Sequence, residues 1–189
     1  IARGIKYLTF WIFSTENWTR DKKEVDYLMN LFREFFDKRM QDLDDKGVRV
    51  KVIGYKPAFA QDIQDRIARG EERTKDNDVL TLTLAMNYGG RDELTRAMKF
   101  IAEEVKAGKL DPEAITPELI SEHLDTSYMP DPDLIIRTSG ELRMSGFMPW
   151  QSNYSEFAFP EFTFPEFTPE KMDEILESFA KRDRRFGGK

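Results

Sequence analysis

Arginines stand at positions 137 and 143, with Ser139 and Glu141 between them and Ser145 just beyond, directly after the apolar triplet Leu134-Ile135-Ile136. Two guanidiniums give forked, permanently charged donors, and the hydroxyls of a glycine-broken loop add neutral ones. That set suits a diphosphate. The triplet reads as a buried strand and the loop at its end as the carrier of chemistry. Polar groups also follow predicted strands at 14–20, at 87–91 and, more loosely, around Glu156. In an open parallel sheet such ends share one edge, where ligands bind. Arg20, Arg91, Arg137 and Arg143 are therefore candidate anion contacts, and Gly89 and Gly90 before a helix fit an anion at its N-terminus.

The elements that must position these groups alternate along the chain. Residues 5–13 are β-branched and aromatic with hardly a polar break, which predicts a strand buried on both faces. From 24 to 43 apolar residues recur at helical spacing (Val25, Leu28, Met29, Phe32, Phe36, Met40, Leu43), and Tyr27, Leu31 and Phe35 widen that face beyond what one contact needs. Strands are predicted at 48–53 and 79–86, with Phe59, Ile63 and Ile67 on a helix between them and a further helix after Arg91. Thr116-Pro117-Glu118 and Thr168-Pro169-Glu170 are matching helix starts, with a capping hydroxyl, proline in the first turn and an acid beside it. The final helix carries Met172, Ile175, Leu176 and Phe179 inward. Alternating strands and helices predict an α/β fold, one domain over 1–189, with a largely parallel central sheet flanked by helices.

Composition narrows the partners. The 189 residues are 40% hydrophobic and 34% charged, as in a globular chain that buries its own core. A net charge of −6 argues against a nucleic-acid partner. With no cysteine and only His123, thiolate and His-rich metal sites are excluded, as is a Ser-His nucleophile, and any metal needs carboxylate and water ligands. The longest apolar runs fall far short of the roughly 20 residues that span a bilayer, and the N-terminus does not read as a signal peptide. A cytoplasmic location is the simplest expectation.

Five stretches carry a resemblance. FSTENWTR (13–20) with Glu24-Val25, AMNYGGRDEL (85–94), DLIIRTSGELRMS (133–145), WQSNYSEFAF (150–159) and RRFGG (184–188) come in one order over nearly the whole chain. Together they resemble the cis-prenyltransferase family, which includes undecaprenyl diphosphate synthase. The resemblance implies condensation of isopentenyl diphosphate with an allylic diphosphate such as farnesyl diphosphate. The product is a cis-polyprenyl diphosphate, the carrier lipid for cell-wall or glycan synthesis. It implies that Arg137, Arg143 and Ser145 hold the isopentenyl diphosphate, that Glu156 binds Mg²⁺, and that Asn17 and Arg20 sit near the reacting groups. Ser14, Trp18 and Glu24 would contact substrate, the last two from a loop that closes over it. Arg185 and Gly187 would reach the active site of a partner subunit in a homodimer. The wide apolar face of 24–43 would be one wall of a tunnel for the growing hydrocarbon, whose product could bring the protein to a membrane peripherally without any anchor.

Departures and rival readings sharpen the expectations. The family opens with a strand ending in Asp-Gly-Asn-Gly-Arg-Trp and then a helix, and neither precedes Ile1 here. A protein that truly began at Ile1 is expected to be inactive and to lack a sheet strand. Leu142, Gly146 and Pro149 differ from the usual loop residues, and bulky Ile12 stands where long-chain relatives carry a small one. The alternative within the fold is a non-catalytic partner subunit, but such subunits typically lose the Asn-Trp and Arg-Thr-Ser-Gly-Glu stretches, both intact here. An unrelated nucleotide-binding α/β protein would need a phosphate loop that the chain lacks. Each candidate also has a plainer reading: Trp18 as a core aromatic, Glu24 as a helix first-turn charge, Glu156 as an ordinary strand carboxylate, and His123 as a bystander. The phenylalanines at 157, 159, 162, 164 and 167 read as core and subunit interface rather than as a ligand channel.

Overall fold

Leu80–Tyr88 is the central strand of the larger sheet in the computed structural model, which describes residues 1–183. The nine residues are almost continuously buried, as a strand covered on both faces requires. We call it β3. It pairs in parallel with β1 (Tyr7–Ser14) on one side and β2 (Val48–Ile53) on the other. β1 behaves differently from the sequence expectation. It pairs with no second strand among the described residues, and of its side chains only Phe13 is buried, while Tyr7 and Ile12 are exposed. Among the described residues, then, its apolar run is covered only in part.

The helices over this sheet follow from their stripes. α1 (Lys22–Lys38) starts at Asp21, whose carboxylate accepts from the Lys23 amide at 2.8 Å, and buries Val25, Met29, Phe32 and Phe36. The single helix expected over 24–43 is broken at Arg39, and α2 (Met40–Asp45) continues the stripe with buried Met40. α3 (Gln61–Arg73) buries Ile63 and Ile67, each contributing roughly 2–3 kcal/mol of apolar transfer. Phe32 and Phe59 meet edge to face at 6.3 Å in the shared core. Three arginine–aspartate pairs clamp the outer side of this packing: Arg33–Asp62 at 2.6 Å, Arg66–Asp37 at 3.0 Å and Arg73–Asp44 at 3.0 Å. Each is weak at this exposure, but together they fix the register of α3 on α1 and α2. The second stripe of α1 finds no such cover, for Tyr27 and Leu31 are exposed and only Phe35 packs against the core. α4 (Gly90–Lys106) then buries Ala97 and Ile101, and α5 (Pro117–Glu122) starts from the Thr116 cap as expected. His123 ends α5 with Nδ1 at 2.7 Å from the Leu119 carbonyl and Nε2 at 3.3 Å from Glu104.

The chain divides into two compact units, residues 1–129 and 130–189. The second carries its own parallel pair, β4 (Leu134–Ile136) and β5 (Glu156–Ala158). α6 (Pro169–Ala180) follows its Thr168 cap, with Met172, Ile175, Leu176 and Phe179 part-buried. Of the phenylalanines in this unit, 157 and 159 stack at 5.9 Å, and 162 and 164 both meet 167, at 5.4 and 6.3 Å, with Phe164 exposed.

Candidate functional site

β1 and β3 are parallel, so the segments leaving them share one edge of the sheet, as expected for 14–20 and 87–91. Leaving β1, the chain enters a single 3-10 turn, Thr15–Thr19. The Ser14 amide donates to Asn17 Oδ1 at 2.8 Å, which closes the turn and fixes the Asn17 carboxamide. The carboxyl of Glu16 is held below its ordinary value, first by a backbone amide at the same residue, then by the hydroxyls of Ser14 and Thr15. Arg20 pairs with Glu24 at 2.5 Å, and Glu24 stands in the first turn of α1, where its charge favours the helix dipole. Gly89 permits this closeness: a Cβ there would lie 2.6 Å from Thr15 Oγ1. Arg91 stands exposed in the first turn of α4.

Trp18 leans inward from that turn. Its indole N–H donates to Asn87 Oδ1 at 2.8 Å, and its ring meets Phe13 edge-on at 5.0 Å and Phe59 at 5.7 Å. One face is left to a pocket of about 480 Å³ whose apolar lining is Trp18, Val25, Met29, Ala58, Ala60 and Ile63. Asp26, Asn30 and Arg33 supply its polar lining. Its size falls in the range of small-molecule sites, and polar and apolar surface share the lining about equally. α1 lines this cavity with Val25 and Met29 of its buried stripe and with Asp26, Asn30 and Arg33; Tyr27, Leu31 and Ile12 do not line it.

A polar network beneath this edge went unread in the sequence. Asp125 accepts from Arg96 twice, at 2.8 and 2.7 Å, and from the Gly54 amide at 2.9 Å. Burial alone would raise the Asp125 carboxyl, yet the bonds and charge of Arg96 with the Gly54 N–H outweigh it and hold the carboxyl below its ordinary value. Glu93, 1% exposed, accepts from the Tyr88 hydroxyl at 2.6 Å and from the Asp125 amide at 3.0 Å. Glu93 and Tyr88 lie in AMNYGGRDEL, but Arg96 and Asp125 lie outside that stretch.

In the second unit the loop leaving β4 gathers the other candidates. Arg137 Nη1 donates to the Arg143 carbonyl at 2.6 Å and to Ser145 Oγ at 3.0 Å, so one guanidinium closes a ring across the loop. Arg143 pairs with Glu141. The backbone is unusual: Ser139, Ser145 and Met148 have φ of 69°, 50° and 47°. The Ser139 and Gly140 amides donate to the carbonyls of Phe162 and Pro160 at 2.8 and 2.9 Å, and Met148 is buried, which anchors the conformation at both ends. Of the three departures, Leu142 is 77% exposed, Pro149 is exposed, and Gly146 adopts a left-handed backbone that asparagine, the usual residue, also tolerates.

Glu156 does not follow a strand. It opens β5, opposite Leu134, because the register places Ile136 against Ala158 and Arg137 beyond it. Its carboxylate accepts from Arg182 at 2.8 Å, a partner absent from the sequence reading; Arg182 also donates to the Phe157 carbonyl. Among the described residues no group of three or more carboxylates or histidines could hold a metal ion. Glu156 is thus a lone carboxylate, paired with Arg182, and any cation held there would take its other ligands from water and substrate. Arg185 and Gly187 lie outside the described residues.

Comparisons with known proteins bear on the family and the fold. The prenyltransferase family model described as "Putative undecaprenyl diphosphate synthase" matches residues 1–187. An isoprenyl transferase of Agrobacterium fabrum is 49% identical over 184 residues, covering 97% of this chain and 74% of the relative. One of Streptococcus thermophilus is 48% identical over 189 residues, covering 98% and 76%. Among solved structures, the lavandulyl diphosphate synthase of Lavandula x intermedia, in complex with dimethylallyl diphosphate, superposes with a TM-score of 0.93 at 35% identity, covering 97% of this chain and 80% of that one. "A probable undecaprenyl diphosphate synthase" from Campylobacter jejuni gives 0.86 at 34%, covering 96% and 83%. The chain belongs to the undecaprenyl diphosphate synthase family of prenyltransferases, and its α/β fold is theirs.

Proposed function

We propose that this chain catalyses cis-prenyl transfer, condensing isopentenyl diphosphate with an allylic diphosphate to give the polyprenyl diphosphate of a carrier lipid. The observation that carries the reading is the loop after β4, where Arg137 bonds the Arg143 carbonyl and the Ser145 hydroxyl and so brings both arginines and that serine onto one short loop, with the Arg143 guanidinium paired to Glu141. Arg137 and Arg143 bind the diphosphate of the isopentenyl unit, with the Ser145 hydroxyl as a neutral donor. The apolar pocket against Trp18, Val25, Met29 and Ile63 takes the hydrocarbon of the allylic partner. In the reaction the allylic carbon–oxygen bond breaks and diphosphate leaves with the electron pair. A carbon–carbon bond forms to the isopentenyl unit, which loses a proton to give the cis double bond. Arg20, held toward Glu24 until substrate arrives, and the fixed carboxamide of Asn17 stabilise and orient the reacting groups.

Glu156 supplies one ligand for Mg²⁺, which neutralises diphosphate charge when bound. The protein works as a homodimer in the cytoplasm, with peripheral membrane contact through its product. The part-exposed phenylalanines of the second unit support the dimer, and no helix among the described residues is long and apolar enough to cross a membrane.

Incorporation of labelled isopentenyl diphosphate into chloroform-soluble product, with farnesyl diphosphate and Mg²⁺, tests the reaction. Calorimetry with isopentenyl diphosphate tests the loop separately. Arg143→Ala should weaken that binding ~30-fold, the worth of one charge-assisted contact. No binding by the unsubstituted chain, or an unchanged affinity in the variant, would remove the loop from the site.

A further inference from the structure

Asn87 is the penultimate residue of β3, 4% exposed, and its φ of 49° is left-handed, a conformation asparagine tolerates better than most side chains. Both ends of its amide are engaged. Oδ1 accepts from the Trp18 indole at 2.8 Å, and Nδ2 donates to the Tyr55 carbonyl at 2.9 Å. Its own carbonyl accepts from the Tyr55 amide at 3.1 Å. These partners belong to different walls of the apolar pocket: Trp18 lines it directly, and Tyr55 leads into the 3-10 turn Lys56–Ala58, whose Ala58 lines it. The approach depends on Gly54, whose φ is 107° and where a Cβ would lie 2.1 Å from the Met86 carbonyl. None of the three bonds belongs to the ladder with β2, which ends at Ile53 opposite Ala85. They serve the walls.

We propose that Asn87 is a positioning residue which sets the separation of Trp18 from the 55–58 segment, and so the fit of the apolar part of a prenyl diphosphate next to its diphosphate. The proposal rests on the reading of this pocket as the allylic site. It requires selectivity: loosening the walls should weaken ligands that carry a long apolar chain and leave isopentenyl diphosphate, held by the loop after β4, untouched.

The full chain labelled with 5-fluorotryptophan gives one fluorine resonance for each of its three tryptophans. Asn87→Ala is expected to shift the Trp18 resonance and weaken farnesyl diphosphate ~10-fold, with isopentenyl diphosphate changed less than twofold. Asn87→Asp keeps an acceptor for the indole and loses the donor to Tyr55, so the Trp18 resonance should stay near its original position while farnesyl diphosphate still weakens. Trp18→Phe keeps the ring packing and removes the shared bond; in that background Asn87→Ala should cost less thermal stability than in the original chain. A Trp18 resonance unmoved by Asn87→Ala, additive stability losses, or equal weakening of both diphosphates overturns the proposal. Should the unsubstituted chain fail to bind farnesyl diphosphate, the allylic reading falls, and the resonance and the stability cycle decide whether Asn87 holds the walls.

Discussion

Replacing Arg137 separates charge from geometry at the heart of the second unit. Three non-glycine residues of its loop are left-handed, each at a cost of about 1 kcal/mol, so roughly 3 kcal/mol of backbone strain must be held by ties. Two ties come from Arg137, to the Arg143 carbonyl and Ser145 Oγ, worth about 1 kcal/mol each at this exposure. Adding the guanidinium's direct contact with a diphosphate, about 1.5 kcal/mol, puts the cost of Arg137→Ala at roughly 3–4 kcal/mol, or a ~150- to ~900-fold rise in the Kd for isopentenyl diphosphate. Arg137→Lys keeps the charge and loses the planar fork, which should cost about 1–2 kcal/mol, ~5- to ~30-fold. Titration calorimetry reads both, and the melting temperature should move by only a few degrees because the loop lies outside the core of the first unit. A lysine variant that binds like the original chain would refute the role given to the fork. An alanine variant within threefold would refute the role given to Arg137 altogether.

Asp125→Asn removes one of the two carboxylate partners of Arg96, leaving Asp92 at 2.8 Å, and should cost about 1–3 kcal/mol by denaturant unfolding. The carboxyl lies below its unfolded value, so its stabilisation is present above about pH 4 and lost as pH falls through the lower folded value; the variant should lose less stability on acidification than the original. Tyr128 shows the opposite sign. Burial is the largest cause pushing its hydroxyl up to about 12, and the hydroxyl shares a 2.7 Å bond with buried Thr83. Its contribution is present below about pH 10 and lost as pH rises through the folded value, so Tyr128→Phe should flatten the alkaline limb of a pH–melting curve while costing about 1 kcal/mol at neutrality.

Periodicity and turn chemistry reached some features of the chain and missed others for identifiable reasons. The strand over 80–88 and the caps at Thr116 and Thr168 were legible because hydrophobic runs and capping hydroxyls are local signals. The break at Arg39 was not, since the apolar stripe runs on through Met40 and neither glycine nor proline marks the interruption. Edge position was equally hidden: nothing in IKYLTFWIF distinguishes a strand paired on one side from one paired on two. At the site, Arg137 with Ser145 and Arg20 with Glu24 lie close in sequence, and their association could be anticipated. The bonds of Trp18 to Asn87, of Arg96 to Asp125 and of Arg182 to Glu156 join residues 69, 29 and 26 positions apart. Pairing at that range is decided by topology, which no local pattern encodes.

The left-handed residues after β4 also constrain how this protein can drift. Ser139, Ser145 and Met148 sit where β-branched side chains are excluded, and the tolerated replacements reduce largely to glycine, asparagine and aspartate. Of these, aspartate would place a negative charge beside the two arginines. The accessible alphabet at each serine is thus two or three letters, while Leu142, exposed between them, can vary almost freely. Divergence in this lineage should therefore accumulate in the loop at single unconstrained positions flanked by near-frozen ones, a pattern set by backbone torsion before any selection for chemistry acts.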